Sequence, residues 1–174
     1  SVAVSPGVTH TFMVSAYSSD GGTLQFNLDF VPAAAPSNDN CGSAHVVPTY
    51  PFTDLQFTGN AGVQGFDPAS PCGNGSNAKN TWYRFTAPLS GGTLHVDTYG
   101  SDYDTILSGW SGGCGGFSAW PSGCNDDSGG VQSELNLPMG GGQTIYLMAA
   151  AFHGDGGNLR LHLNFAPSAG TVPD

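Results

Sequence analysis

The clearest pattern in the chain is a two-residue alternation of apolar and polar positions. Leu24, Phe26, Leu28 and Phe30 alternate with Gln25, Asn27 and Asp29, and Leu159, Leu161, Leu163 and Phe165 alternate with Arg160, His162 and Asn164. Period two marks a strand with one buried face. Shorter strand-like runs occupy residues 52–59, 80–87, 92–99, 104–110 and 132–137, each close to Gly, Pro, Asn, Asp or Ser. With 27 Gly, 12 Pro and few strong helix formers in sequence, almost no helix is expected. The pattern predicts an all-β chain, an antiparallel β-sandwich of about seven or eight strands.

The two alternating segments are copies of one another. An offset of 135 residues lays residues 21–32 on residues 156–167 without a gap, and Gly7, Thr9, Met13, Ala16 and Asp20 then fall on Gly142, Thr144, Met148, Ala151 and Asp155. Each copy reads as strand, Asp-Gly-Gly turn, strand, so each is expected to be a β-hairpin. Residues 37–167 then form a complete sandwich with its own closing hairpin, residues 1–36 hold a spare hairpin and linker, and residues 168–174 are linker. An isolated hairpin is marginal in water, and burying each Leu or Phe of the stripe is worth about 1.5–3 kcal/mol. The spare hairpin therefore needs a partner. Either it closes a preceding repeat or it is donated to a neighbouring copy, because the matching edge of the resident sandwich is expected to be filled already. Head-to-tail contacts of this kind grow filaments when they do not close into rings.

Charge and cysteine content narrow the setting. Three basic residues against thirteen acidic ones leave a net charge of −10, which repels nucleic-acid phosphates and anionic membrane surfaces. No apolar run is long enough to insert into a membrane. Only 9% of residues are charged, so Gly, Ser, Thr and Asn cover the surface, a composition shared with exported and glycan-contacting proteins. Cys41, Cys72, Cys114 and Cys124 are even in number and lie in Gly- and Ser-rich turns, which suits an oxidising, extracellular or cell-surface location. They lack the paired C-x2-C spacing of a zinc site. The expected disulfides are Cys41 with Cys72 and Cys114 with Cys124. The opening SVAVSPG has neither Met nor a signal peptide, as in a processed chain or a window on a longer one.

SNDNCGSA (37–44), PCG (71–73), NTWYRFTAP (80–88), the 92–116 run with its D-T-I-L and Cys114, CNDDSGG (124–130), QSEL (132–135) and the 141–163 run follow one another in an order that resembles the bacterial pre-peptidase C-terminal domain. That domain is a jelly-roll sandwich related in shape to CUB domains. The resemblance spans nearly all of residues 37–167 and implies a non-catalytic accessory or surface module, of the kind found in tandem beside secreted peptidases, glycan-active enzymes and adhesive repeats.

The candidate chemistry lies between strands. Asp102, Asp104, Asn125, Asp126, Asp127 and Glu134 supply clustered oxygen ligands of the type calcium takes, with Gly nearby to let carbonyls join; the alternative is that they close turns through their side chains. Gly109, Ser111 and Gly113 match a nucleophile-elbow spacing, yet no helix is expected after them. His10, His45, His95, His153 and His162 show no ligand spacing and read as strand and turn residues. Trp82 reads as core, while Trp110 and Trp120 flank the segment between Cys114 and Cys124, where an indole stacks on a sugar or packs into the loop. The leading expectation is a structural or adhesive repeat of a bacterial extracellular filament, stabilised by Ca2+ and partnered by other copies of itself. The alternative is a glycan- or substrate-binding accessory module of a secreted hydrolase.

Overall fold

A strand with one apolar face is stable only when that face is covered. The computed structural model describes residues 8–17, 21–28 and 34–169, and the chain divides into two compact units, Ser1–Pro32 and Ala33–Asp174. The second unit is an all-β sandwich. Its strands are β1 (His45–Val46), β2 (Phe52–Phe57), β3 (Ala78–Thr86), β4 (Gly92–Asp97), β5 (Thr105–Ser111), β6 (Ser118–Asn125), β7 (Glu134–Met139), β8 (Thr144–Ala151) and β9 (Asn158–Pro167). One sheet runs β1-β3-β8-β5-β6 and the other β2-β9-β4-β7. All pairs are antiparallel except β1 with β3.

The expected alternation places the core. Leu159, Leu161, Leu163 and Phe165 on β9 are buried beside Leu94 and Val96 of β4 and Leu135 and Leu137 of β7, and they meet Tyr83, Phe85, Leu107, Ile145 and Leu147 of the facing sheet. A polar bridge spans the same gap. The Tyr83 hydroxyl donates to Asp54 Oδ2 (2.8 Å) and accepts from Gln56 Nε2 (2.6 Å), so β2 turns these polar side chains inward at the rim without leaving them unsatisfied.

Residues 143–166 do not form the expected hairpin. β8 lies in one sheet between β3 and β5, and β9 lies in the other between β2 and β4. The segment from 152 to 157 carries the chain across the sandwich, so that the apolar faces of its two strands meet over the core instead of lying side by side. Gly156 adopts φ 59°, which a side chain rarely tolerates, and Gly157 backs onto Asp102, where an added Cβ would overlap the carboxylate. Thr58 fixes this crossover: its N–H donates to Gly157 O (2.7 Å), and the Gly157 N–H donates to Thr58 Oγ1 (3.1 Å). Among the described strands only β5 and β6 are both consecutive and hydrogen-bonded to each other. The closing pair is thus central to both sheets and fills no edge.

In the first unit, residues 8–17 and 21–28 carry no regular strand pairing, and Asp20 of the expected Asp-Gly-Gly turn and Phe30 fall outside the described residues. The Phe12 and Phe26 rings lie 6.0 Å apart. Under the 135-residue offset these two positions correspond to Leu147 and Leu161, which share the core of the sandwich. Leu24, Phe26 and Leu28 are exposed.

A second apolar cluster covers the outer face of the five-stranded sheet, where Cys41, Trp82, Trp110 and Met148 pack with Phe117 and Tyr146. Trp82 stacks on Phe117 with centroids 4.9 Å apart and planes 7° from parallel. The segment after β5 therefore lies over this sheet, beside residues 38–44. That placement overturns the expected disulfides: the bridges are Cys41–Cys114 and Cys72–Cys124. Sequence proximity suggests local pairs, whereas packing of Phe117 on Trp82 carries Cys114 to Cys41. No described cysteine is free, which fits an oxidising compartment. No described helix is long and apolar enough to cross a membrane.

Both bridges close long loops, with sequence separations of 73 and 52, so chain entropy gives each about 4 kcal/mol at most. Non-reducing peptide mapping should recover these two pairs, and C41S/C114S should lose about 2–4 kcal/mol in denaturant unfolding. Recovery of Cys41 joined to Cys72 would contradict the packing described.

Candidate metal-binding loops

The six expected calcium ligands separate into three environments. Asp102 clamps the start of β9, its Oδ1 accepting from Asn158 N (2.7 Å) and its Oδ2 from Asn158 Nδ2 (2.6 Å). Asn125 organises its own loop, its Oδ1 accepting from Glu134 N (3.0 Å) and its Nδ2 donating to Asp127 O (3.2 Å). Asn125 thus organises a turn, whereas Asp102 ties two segments 56 residues apart. Glu134 lies on the outer face of the four-stranded sheet. There it accepts from the Tyr99 hydroxyl (2.7 Å) and Asn136 Nδ2 (2.9 Å), and its Oε1 lies 3.2 Å from His95 Nε2. These hydrogen bonds, led by Tyr99, hold its carboxyl below the usual range.

Asp104, Asp126 and Asp127 remain together. The loop that presents them is fixed from beneath by buried Ser133, whose hydroxyl lies 2.6 Å from Thr105 O and 3.0 Å from both Asn125 O and Asp126 O. Ser128 N–H donates to Gln132 O (2.7 Å) across the turn. Asp104 Oδ1 and Asp126 Oδ1 are both buried, and neither has a hydrogen-bond partner in the protein. Asp126 Oδ1 faces Gly73, at which an added Cβ would lie 3.2 Å away. Desolvation pushes both carboxyls above their ordinary value, and the charge of Asp127 adds to it in each case; His153 opposes the shift. Buried, unpartnered carboxylate oxygens beside further negative charge are costly unless a proton or a cation neutralises them.

The other expected residues are placed as follows. Trp82 is core, and its Nε1 donates to Asp67 Oδ1 (3.2 Å). Trp110 is also buried and donates to Ser108 Oγ (2.9 Å), so it offers no ring face to a sugar; its strand turns it into the second apolar cluster. Trp120 is half-buried against the core and lines a shallow groove with Ser111, Pro121, Ser122, Pro138 and Gln143. Ser111 ends β5, its hydroxyl donates to Ser118 O (3.2 Å), and the chain continues into β6 with no helix to expose a nucleophile. The sequence reading of the histidines as unrelated residues missed a cross-strand group. Asp97 sits opposite both Glu134 on β7 and His162 on β9, with His95 two residues away on the same face. The H-x-D spacing at 95–97 was the available signal, but the register that adds His162 is not written in the local sequence. The chain matches no family model and no curated protein.

The Asp126 shift has a definite sign. A carboxyl whose folded value lies above 3.8 costs stability when it ionises; the cost is absent well below pH 3.8, grows as pH rises past it and is complete above the raised value. In chelator, D126N should therefore melt above the parent at pH 7, and the gap should close toward pH 3. A variant that melts below the parent at pH 7 would contradict this account of the loop.

Proposed function

We propose that the chain is a non-catalytic structural repeat unit of a bacterial extracellular array, assembled head to tail, in which residues 8–28 supply the two central strands of another copy of the sandwich. One observation carries this reading. The same apolar stripe is 0–3% exposed where it forms β9, but Leu24, Phe26 and Leu28 are 62%, 53% and 66% exposed in the repeated copy. Three large apolar side chains with unpaired backbone beside them invite association. Because β8 and β9 are central, the acceptor is a module whose own pair is missing or displaced. The segment thus closes a neighbouring module in a series and does not decorate an edge. Asymmetric contacts of this type propagate into a filament when their rotation does not close a ring. The described edges β6 and β7 carry Pro121 and Pro138, which disfavour simple edge pairing there.

A chain ending at residue 142 lacks the central pair and should be unfolded alone. Mixed with the intact chain, it should become folded in a one-to-one complex, and it should stay unfolded when the intact chain carries L24S/F26S/L28S. Deleting residues 1–32 should leave a folded monomer. If the shortened chain remains unfolded with the intact partner, or the deletion variant still forms the same multimers, strand complementation is wrong.

Calcium at Asp104, Asp126 and Asp127 would rigidify the loops of each unit. The supporting observation is the pair of unpartnered buried oxygens on Asp104 and Asp126. Binding to the folded state alone adds about 2.7 kcal/mol at a hundredfold excess over Kd. Calcium should accordingly raise the melting temperature of the parent but not of D104A or D127A. Identical melting curves in calcium and chelator leave these residues as turn formers only.

A further inference from the structure

The group on the outer face of the four-stranded sheet is chemically unlike the acidic loops. Asp97, Glu134 and His162 form one row across β7, β4 and β9, since Asp97 is the register partner of both others. His95 projects from the same face one step along β4. His162 Nδ1 lies 3.1 Å and His95 Nδ1 3.8 Å from Asp97 Oδ2, and one ligand atom from each of the three residues falls within 4.8 Å of the others. We propose that His95, Asp97 and His162 form a binding site for a borderline divalent transition-metal ion, of which Zn2+ is the representative, with Glu134 positioning His95.

Four features support the assignment. A tetrahedral zinc with bonds of about 2.0–2.1 Å sets its ligands about 3.3 Å apart, close to the two Asp–His separations, so small side-chain rotations bring the set into place. Asp97 is oriented, because its Oδ1 accepts from Tyr99 N (3.1 Å) while Oδ2 is the oxygen shared by both imidazoles. His95 is oriented too. With its proton on Nε2 and donated to Glu134 Oε1 at 3.2 Å, Nδ1 keeps a lone pair toward Asp97, the carboxylate–histidine arrangement that stiffens metal-ligating imidazoles. Glu134 is held in turn by Tyr99 and Asn136. Finally, the charges match. Asp97 side-chain exposure is only 7%, and together with Glu134 it brings two carboxylates to the place where a divalent cation would sit. Two imidazole nitrogens and one carboxylate favour zinc-type ions over calcium, which prefers a set made only of oxygens. His95 and His162 keep 35% and 28% exposure, so the remaining coordination position faces solvent.

The experiment uses the full chain, stripped of metal with chelator and titrated with Zn2+ in a calorimeter while histidine ring signals are followed by NMR. One Zn2+ per chain should bind and shift the rings of His95 and His162 while leaving those of His10, His45 and His153 unmoved. H95Q and H162Q should each weaken binding at least about 100-fold, E134Q about 10- to 100-fold. D104N/D126N should bind Zn2+ as the parent does, which separates this site from the acidic loops. Absence of binding, unchanged affinity in H95Q/H162Q, or ring shifts at other histidines would overturn the assignment, and the ring shifts are read on the parent chain whatever the stability of the variants.

Discussion

The sandwich depends on one constraint: a single stretch of chain, β8 and β9, must place the middle strand of each sheet and bury both inner faces against each other. β8 is flanked by β3 and β5, and β9 by β2 and β4, so each sheet loses its continuity without them. Ile145 and Leu147 on one strand and Leu159, Leu161 and Leu163 on the other are all fully buried. At about 1.5–3 kcal/mol per large side chain, this pair supplies a substantial part of the burial that offsets ordering of the chain. The crossover at residues 152–157 is what makes it possible, and Thr58 with Gly156 and Gly157 holds that crossover.

The apolar stripes, the positions of most strands and the all-β class were legible because period two is imposed by one-sided burial. Which sheet each strand joins was not. A strand, Gly-Gly turn, strand pattern is the same for a hairpin as for a crossover between facing sheets; what separates them here is the fit of Gly157 against Asp102 and Thr58, a contact with residues far away in the chain. The disulfides were misread for a related reason. Cys114 is near Cys124 in sequence, but Phe117 stacks on Trp82 and draws that segment over the outer face of the five-stranded sheet toward Cys41. The same packing buries Trp110, which its position beside a cysteine loop had suggested for stacking on sugars.

The polar groups follow a similar division. Asp126 and Asp127 are neighbours in one turn, but Asp104 lies 22 residues earlier and reaches them because β5 and β6 are antiparallel partners, with Leu107 opposite Asn125. Asp102 and Asn125 instead satisfy backbone and side-chain donors, and Glu134 belongs to a row defined by strand register. Histidines separated by 67 positions become neighbours because β4 pairs with β9, their rings 6.3 Å apart. Composition marks where acids are dense, whereas the pairing of strands decides which of them meet.

The repeated segment raises the same constraint a second time, in a place where its own copy of the stripe is exposed. The most direct test of the account is amide hydrogen exchange of residues 8–17 and 21–28, compared between dilute monomer and assembled material. The account predicts fast exchange in the monomer and, on assembly, protection approaching that which residues 144–151 and 158–167 show in the monomer. Fast exchange in both states, or full protection already in the monomer, would contradict it.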